Sequence, residues 1–422
     1  MNEQLLHYIW QFCHFDITTL FTTKQLSISI LKVGTHNFDS GPDFKSSQIR
    51  IGDLVWNGDV ELHINSSDWN KHKHQYDEKY NSVILHVVWN HDEEVKTANG
   101  DEIPCLELCS VVDKNLLERY ERLMQSKSVI LCEPYIKELD SFQINQFLDR
   151  LLVERLEDKT VQFINEFEVE KNNWESTFYN AVFYTVGLRL NATNMLVLAK
   201  QLPLSILQKH KNSLFQIEAL LFGVAGFLIE ANDEYSSSLK KEYTFLKHKY
   251  NLKEMQASAW MFMRLRPSSF PTVRLAQLAM LFHKNSHLFS RVLEAKSIKE
   301  IHQLFKCTVS HYWLTHYQLN KVSTTRKKSF GTELINSIII NAICPMLFAY
   351  SKRKSAINFQ DLAIHFLESC KSENNSVIRQ YSKIGISAQT AAKSQALLQL
   401  RRKYCEAKNC LNCNIGNQLL KE

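Results

Sequence analysis

The chain has 422 residues, of which 45% are apolar and 22% are charged. This is a globular composition with enough apolar material for two or three domains, and it excludes an intrinsically disordered chain. The formal net charge of +6 is compatible with an anionic partner such as nucleic acid but does not require one. The 11 glycines and 7 prolines are few for this length, which favours long helices over many tight turns.

The sequence predicts a cytoplasmic protein with no membrane partner. Its first residues, MNEQLLHYIWQFCHF, lack both a basic lead and a small-residue cleavage site, so they do not resemble a signal peptide. The most apolar stretch, residues 334–350, is interrupted by Asn336, Asn341 and Pro345. It is shorter than the ~20 apolar residues that span a bilayer, and a buried helix is expected there.

Strand patterns are concentrated in the first ~110 residues. In chain order they are SQIRI, LVWNGDVELHI, SVILHVVW and IPCLEL. From Lys114 onward, apolar residues recur at helical spacing, as in INQFLDRLLVERLEDKTVQFINEF. The sequence therefore predicts an α+β protein with an α/β domain at residues 1–130, a helical domain at 131–400 and a C-terminal cysteine motif at 401–422.

Residues 54–65 alternate strictly between apolar and polar side chains, which predicts a strand with one face on the core. The apolar face contains Trp56, Val60 and Leu62, and the polar face contains Asp59, Glu61 and His63. A two-residue turn at Gly52-Asp53 would join this strand to SQIRI as an antiparallel hairpin. The competing turn at Asn57-Gly58 would break the alternation.

Asp43 follows Gly41-Pro42, so a stiff loop presents its carboxylate at the entry to the first hairpin strand. From there it can approach Glu61 on the neighbouring strand. Two carboxylates form a hard oxygen site suited to Mg²⁺ or Mn²⁺. His63 shares the strand face of Glu61 and could orient or deprotonate an attacking water.

The next segment, SSDWNKHKHQYDEKY, begins at a natural N-cap and is expected to be helical. Trp69, Tyr76 and Tyr80 would face the core. His74 and Asp77 would share one flank as peripheral site residues, together with Asp59 on the strand, while His72 would point away. The alternative for the whole polar face is the solvated side of an antiparallel sheet. The density of acids and histidines within a short span favours the metal site.

The order helix, strand, strand, helix, strand, with Asp43 before the hairpin and Glu61-x-His63 on its second strand, resembles the PD-(D/E)XK nuclease superfamily over residues 1–110. The resemblance implies a restriction-endonuclease-like mixed sheet and metal-dependent cleavage of nucleic acid, with Asp43 and Glu61 as ligands and His63 as third catalytic residue. His63 stands where the superfamily usually has Lys. A neutral histidine can act as a base, so the chemistry is either adjusted or lost.

At the level of the whole chain, the sequence resembles an uncharacterised bacterial family, domain-of-unknown-function family 2851. The segments that carry this resemblance are GPDF, GDVELH, SSDWNKHKHQYDEKY, LHVVW, RLRPSSFPTVRLAQLAML and YCEAKNCLNCNIG. It implies no established activity.

Near the end of the chain, Cys405, Cys410 and Cys413 form a C-x4-C-x2-C pattern. Three thiols this close can ligate one soft metal centre, either zinc or an iron–sulfur cluster. A closed site needs a fourth ligand, for which Cys132 is the first candidate, followed by Cys370 and Cys307. The alternative is a set of free thiols.

Arginines flank two prolines in the helical region and open the C-terminal motif. Because guanidinium groups bind phosphate well, these arginines are candidate nucleic-acid contacts: Arg264, Arg266, Arg274, Arg401 and Arg402. Pairing with acids inside a helical bundle is the alternative.

The leading hypothesis is a divalent-metal-dependent nuclease-like protein that cleaves phosphodiester bonds in nucleic acid. A second hypothesis is a catalytically inactive protein of the same fold that binds nucleic acid or a protein partner. A third is a structural metal-binding protein with metal only at the cysteines.

Overall fold

The computed structural model describes residues 1–421, and the chain forms two compact units. The first, called the α/β unit, comprises Met1–Ile144 together with the C-terminal segment that starts at Arg401. The second, called the helical unit, is Asn145–Leu400. The chain therefore leaves the α/β unit, builds the helical unit and then returns.

The α/β unit is built on a mixed sheet of seven strands. These are β1 Leu20–Phe21, β2 Ser27–Lys32, β3 Thr35–His36, β4 Phe44–Ile51, β5 Leu54–Asn65, β6 Val83–Asn90 and β7 Cys105–Glu107. The sheet order is β1-β2-β4-β5-β6-β7, with β3 also paired to β4. The β4/β5 pair is antiparallel, whereas β5/β6 and β6/β7 are parallel. Four α-helices accompany the sheet: α1 Glu3–Gln11, α2 Asp68–Lys71, α3 Lys114–Met124 and α19 Asn414–Lys421.

The β4/β5 hairpin has the predicted turn. Ile51 pairs with Leu54, and Gly52 adopts a left-handed φ of +58° between them. On β5 the apolar face is buried at Val60 and Leu62 but not at Trp56, which is 45% exposed. The core of the unit gathers side chains from α1, the sheet and α3.

The polar face of β5 is buried where the candidate site lies. Glu61 is 5% exposed and His63 is 1% exposed, whereas Asp59 is half-buried, so the explanation of this face as the wet side of a sheet is wrong for Glu61 and His63. A strand that is buried on both faces needs hydrogen-bond partners for its polar side chains. Those partners define the candidate site.

The helical unit confirms the predicted dominance of helices after the sheet, apart from a short hairpin of β8 His316–Gln318 and β9 Lys321–Val322. Its helices are α4 Ser141–Val169 (which starts in the α/β unit), α5 Trp174–Val186, α6 Leu188–Gln201, α7 Leu204–Lys209, α8 Leu214–Val224, α9 Glu234–Tyr250, α10 Pro271–Lys284, α11 Leu288–Glu294, α12 Ile298–Phe305, α13 His311–Leu314, α14 Thr332–Ile338, α15 Cys344–Lys354, α16 Asn358–Ser369, α17 Ser376–Lys383 and α18 Ala391–Gln399. The α+β class is therefore confirmed.

The most apolar stretch forms α14 and α15, joined by the π-helical segment Ile339–Ile343. By length and composition, Thr332–Lys354 is the one helix among residues 1–421 that could cross a membrane. In the structure 78% of its most apolar window is buried inside the protein, as expected for a core helix.

A buried acid in the helical unit should make its stability depend on pH. Glu218 on α8 is 1% exposed and accepts hydrogen bonds from the hydroxyls of Tyr235 at 2.7 Å and Ser310 at 2.8 Å. Burial raises its pKa from 4.5 to about 7. The Glu218 carboxyl ionises at a lower pH in the unfolded chain than in the folded protein. The free energy of unfolding should therefore fall by about 3 kcal/mol as the pH rises from about 4.5 to 7.

The variant Glu218→Gln should lack this part of the pH dependence. Urea unfolding at pH 5 and pH 8 measures it, with Glu230→Gln as an exposed control. Equal pH dependence in wild type and Glu218→Gln would contradict the prediction.

Candidate metal centre

The two carboxylates predicted as metal ligands lie side by side. Asp43 immediately precedes β4 and Glu61 lies within β5, and the pairing of Phe44 with Val60 brings them together. The amide of Asp43 donates to Oε2 of Glu61 at 3.0 Å. The amide of Leu62 donates to Oδ2 of Asp43 at 3.0 Å. Backbone hydrogen bonds thus fix both carboxylates in place.

Histidines surround the other oxygen of Glu61. Oε1 lies 3.7 Å from Nε2 of His63 and 3.4 Å from Nε2 of His74. Nε2 of His63 also lies 3.1 Å from Nδ1 of His72. One ring nitrogen from each of the three histidines lies within 4.8 Å of the other two. These four residues are called the histidine–glutamate cluster.

The convergence of His72 and His74 depends on a break in the helix between them. Residues two apart on an α-helix point to nearly opposite sides. Here α2 ends at Lys71, Lys73 adopts a left-handed φ of +65°, and a 3₁₀ turn follows at His74–Tyr76. The prediction of a continuous helix with His72 pointing away is therefore wrong.

Tyr76 was predicted to face the core, and it is 79% exposed. Trp69 and Tyr80 are buried as expected. The ring of His74 stacks on Tyr80 with 3.8 Å between centroids and lies edge-on to Trp69 at 5.4 Å. Asp92 accepts the amide of Ser67 at 2.8 Å and anchors the start of the segment. The imidazole of His74 is therefore positioned by packing before any ligand binds.

Two further histidines adjoin the cluster, and the sequence analysis did not select them. His86 lies opposite Glu61 in the parallel register of β5 and β6, and its Nε2 is 2.9 Å from Nδ1 of His63. His7 on α1 contacts Oδ2 of Asp43 at 3.2 Å. Burial lowers the pKa of His7, but the hydrogen bond and charge of Asp43 outweigh it and the pKa is raised. A histidine within the apolar strand SVILHVVW was a usable signal for His86, whereas nothing distinguished His7.

Burial sets the protonation of the cluster. Burial, and then the negative charge of Asp43, raises the pKa of Glu61 to about 9. Burial and the neighbouring imidazoles lower the pKa of His63 to about 2, and burial lowers that of His74. Both imidazoles are therefore neutral near pH 7, the form that binds metals. The charge of His7 lowers the pKa of Glu61 but does not outweigh burial and Asp43.

This donor set fits a first-row transition metal. Three imidazole nitrogens with a carboxylate are ligands for Mn²⁺, Zn²⁺ or Fe²⁺, whereas Mg²⁺ prefers oxygen ligands. Of the two ions expected from Asp43 and Glu61, the histidines favour Mn²⁺. His72 is exposed while His63 is buried, so the cluster opens toward solvent at His72.

Asp59 and Asp77, also predicted at the periphery of the site, accept hydrogen bonds that stabilise neighbouring loops. Asp59 accepts hydrogen bonds from the amide of Ser46 at 3.0 Å and from the hydroxyl of Ser82 at 2.6 Å. Asp77 accepts the amide of Lys79 at 3.0 Å at the start of a 3₁₀ turn. Its charge also acts on His74, so Asp77 influences the cluster from outside.

The candidate arginines differ in accessibility. Arg274 is 8% exposed and donates to Gln277 at 2.9 Å and to Ser269 at 3.2 Å. A guanidinium group buried in this way cannot bind a nucleic-acid backbone, and the expectation for Arg274 is wrong. Arg401 donates to Glu406 at 3.0 Å. The remaining three, Arg264, Arg266 and Arg402, are exposed, and for them the contact stays a prediction.

The candidate soft-metal ligands Cys132, Cys405, Cys410 and Cys413 all belong to the α/β unit. Among the described residues, the group that could hold a metal ion is that of His63, His72 and His74, and it does not include these cysteines. Cys370, the second candidate for the fourth ligand, interacts with Cys344 in the helical unit. Cys307 also belongs to the helical unit.

Comparison with known proteins identifies the family. A family model described as "Protein of unknown function (DUF2851)" matches residues 3–376, which is most of the chain. No curated protein and no solved structure matches the chain. The expected relationship is confirmed, and the chain belongs to the DUF2851 family.

Proposed function

We propose that the chain is a divalent-metal-dependent enzyme that hydrolyses phosphodiester bonds in nucleic acid at the histidine–glutamate cluster and Asp43. One observation carries the proposal: three imidazole nitrogens converge within 4.8 Å beside a buried carboxylate that also contacts Asp43. Neutral imidazole nitrogens and a carboxylate that lie this close together form a donor set suited to a divalent transition-metal ion. With an open side toward solvent, the same arrangement suits a catalytic ion.

The residues of the site take distinct roles in this proposal. Glu61, His63, His74 and the more exposed His72 would hold the ion. When bound, the divalent ion supplies Lewis acidity for the attack of water on phosphorus. His86 occupies the second ring nitrogen of His63 at 2.9 Å and fixes its orientation.

The proton acceptor lies elsewhere in the site. Both ring nitrogens of His63 already face other imidazoles, so His63 acts as a ligand and not as a free base. The pair of His7 and Asp43, 3.2 Å apart, is the remaining group that can take a proton from water.

We also propose that the sheet is of the PD-(D/E)XK kind. In its support, Asp43 precedes one strand of an antiparallel pair, Glu61 lies on the other, and a parallel strand follows. Lys73 and Lys79 are exposed in the segment beside the cluster, and their positive charges suit a polyanionic substrate. A histidine in place of the usual Lys agrees with a site richer in nitrogen ligands.

The test combines metal binding with cleavage. Mn²⁺ binding to the purified chain is measured by calorimetry, and labelled single- and double-stranded DNA and RNA are incubated with and without Mn²⁺. We expect cleavage of at least one substrate, abolished by chelator. His74→Ala should lose both binding and cleavage, and the matched control His91→Ala, a histidine outside the cluster, should lose neither.

Two outcomes would contradict parts of the proposal. Unchanged Mn²⁺ binding in His74→Ala would contradict the site. Mn²⁺ binding without cleavage of any of these substrates would favour the competing function, in which the same site is non-catalytic and the protein binds nucleic acid or a protein partner.

A further inference from the structure

A cavity of about 740 Å³ lies within the helical unit. Its wall is formed by α4, α5, α6 and the end of α14 with the π-helical segment that follows it. Cavities of this size are typical of sites for small organic ligands. The wall reaches the surface at Tyr184, which is 51% exposed, and at the exposed Arg189. The cavity shares no residue with the histidine–glutamate cluster.

Lys159 lies in the wall of this cavity and has neutral hydrogen-bond partners. Its Nζ donates to Oδ1 of Asn341 and to Oε1 of Gln395, both at 3.1 Å. The same oxygen of Gln395 also accepts Nε of Arg155 at 2.6 Å, so two cationic side chains share one neutral acceptor. An ammonium group has three N–H donors, and the third donor of Lys159 can serve a ligand in the cavity.

The folded chain disfavours the charged form of Lys159. Burial, and then the charge of Arg155, lowers the pKa of Lys159 from 10.5 to about 7, although Glu373 and Cys344 act in the opposite direction. The side-chain amide of Gln395 donates to Glu373, so Lys159 is linked to this carboxylate only through a neutral group. An anion bound directly to Lys159 would stabilise the ammonium form.

Two uncommon backbone conformations occur at the same cavity. Leu188 lies in the wall and has a φ of +53°, a left-handed conformation that is unfavourable for leucine. Asn341, which accepts the hydrogen bond from Lys159, belongs to the π-helical segment Ile339–Ile343. Strained residues and π-helical turns are concentrated at functional sites. Both features therefore support a ligand site at this place.

The rest of the wall suits the apolar body of a ligand. Phe163, Ala181 and Leu196 contribute apolar surface. Glu166 also lies in the wall, but its carboxylate pairs with Lys200 at 3.0 Å. This pairing limits the repulsion of an anion that enters the cavity.

We propose that the cavity binds a small aromatic carboxylate, whose charged group accepts a hydrogen bond from Lys159 and whose ring packs against Phe163 and Leu196. A single ammonium donor among neutral amides matches a singly charged carboxylate better than a doubly charged phosphate. An aromatic body gains from packing against the phenyl ring of Phe163. The proposal is independent of the function proposed for the α/β unit.

Equilibrium dialysis of the full chain against naphthalene-2-carboxylate tests this, with naphthalene-2-carboxamide as the matched neutral ligand. We expect the carboxylate to bind more tightly than the amide by about 10-fold or more. Its affinity should fall as the pH rises through about 7, where Lys159 loses its proton. No binding of the carboxylate, or equal affinity for the two ligands, would overturn the proposal. Tighter binding of 2-naphthyl phosphate would overturn the choice of a carboxylate.

Substitutions then test the position of the site. Lys159→Met should weaken carboxylate binding by about 10-fold or more and remove its pH dependence. Lys299→Met makes the same change at an exposed position of the helical unit and should do neither. Leu196→Trp, which narrows the cavity but keeps Lys159, should also weaken binding, and thermal unfolding establishes that each variant is folded. Wild-type affinity in Lys159→Met or in Leu196→Trp would overturn the proposal.

Discussion

Glu61→Gln is expected to abolish Mn²⁺-dependent hydrolysis, with a loss in kcat/KM on the order of 10³-fold or more. Glutamine keeps a carbonyl oxygen as acceptor for the amide of Asp43, which donates at 3.0 Å in the wild type. It removes the negative charge that a divalent ion requires from this position. Steady-state kinetics on the cleaved substrate measures the loss.

The same variant should be no less stable than the wild type without metal. Burial raises the pKa of Glu61 to about 9, so the folded state is penalised by this group as the pH rises from about 4.5 to 9. A neutral amide removes that penalty, and the melting temperature at pH 8 should rise. Activity would then be lost although the fold is strengthened, which separates a ligand from a structural residue.

Glu94→Gln is a matched control, because it makes the same change at an exposed position of the same unit. It should keep full activity. If Glu61→Gln retained hydrolysis, or if it lost activity only through unfolding, the assignment of Glu61 as a metal ligand would be refuted.

The hairpin could be predicted because its determinants are local. The alternation of residues 54–65 fixes which side chains share a face, and Gly52 provides the left-handed conformation, at φ +58°, that the two-residue turn needs. Given that register, the approach of Asp43 to Glu61 follows from the pairing of neighbouring strands. The helical part could be predicted equally well, because apolar residues in α4 and α8 recur at helical spacing.

The rest of the site depends on non-local packing. A left-handed conformation is common for glycine but rare for lysine, so nothing in the sequence indicates that Lys73 adopts it. The break in the helix that turns His72 toward His63 could therefore not be predicted. His7 reaches Asp43 only because α1 packs on the sheet. Alternation likewise cannot tell a solvated polar face from one covered by a following segment, which is why the burial of Glu61 was not foreseen.

The return of the C-terminal segment to the α/β unit could not be predicted either. The motif YCEAKNCLNCNIG carries ligand spacing, which is local, but nothing in it specifies the core that Leu411 joins. The predicted domain boundaries at residues 130 and 400 stay a prediction. In the structure, Met1–Ile144 forms one compact unit with the segment after Leu400.

His63→Lys is the second variant with a large expected effect, because it decides what the histidine at this position does. If His63 only replaces the lysine usual in the PD-(D/E)XK motif, the variant should keep or gain activity. We expect the opposite, a loss on the order of 10³-fold together with loss of Mn²⁺ binding, because Nε2 of His63 lies 3.1 Å from Nδ1 of His72 and 3.7 Å from Oε1 of Glu61. Lysine offers no imidazole nitrogen there.

The lysine would also change the charge of the site. At 1% exposure for the native side chain, an ammonium group would have to pair with Glu61, and that pairing removes the carboxylate from the ion. Calorimetric titration with Mn²⁺ and cleavage kinetics measure both effects, with His91→Lys as a control for added charge in the same unit. Mn²⁺ affinity equal to wild type in His63→Lys would show that the ion does not need this nitrogen, and the assignment of His63 as a metal ligand would be refuted.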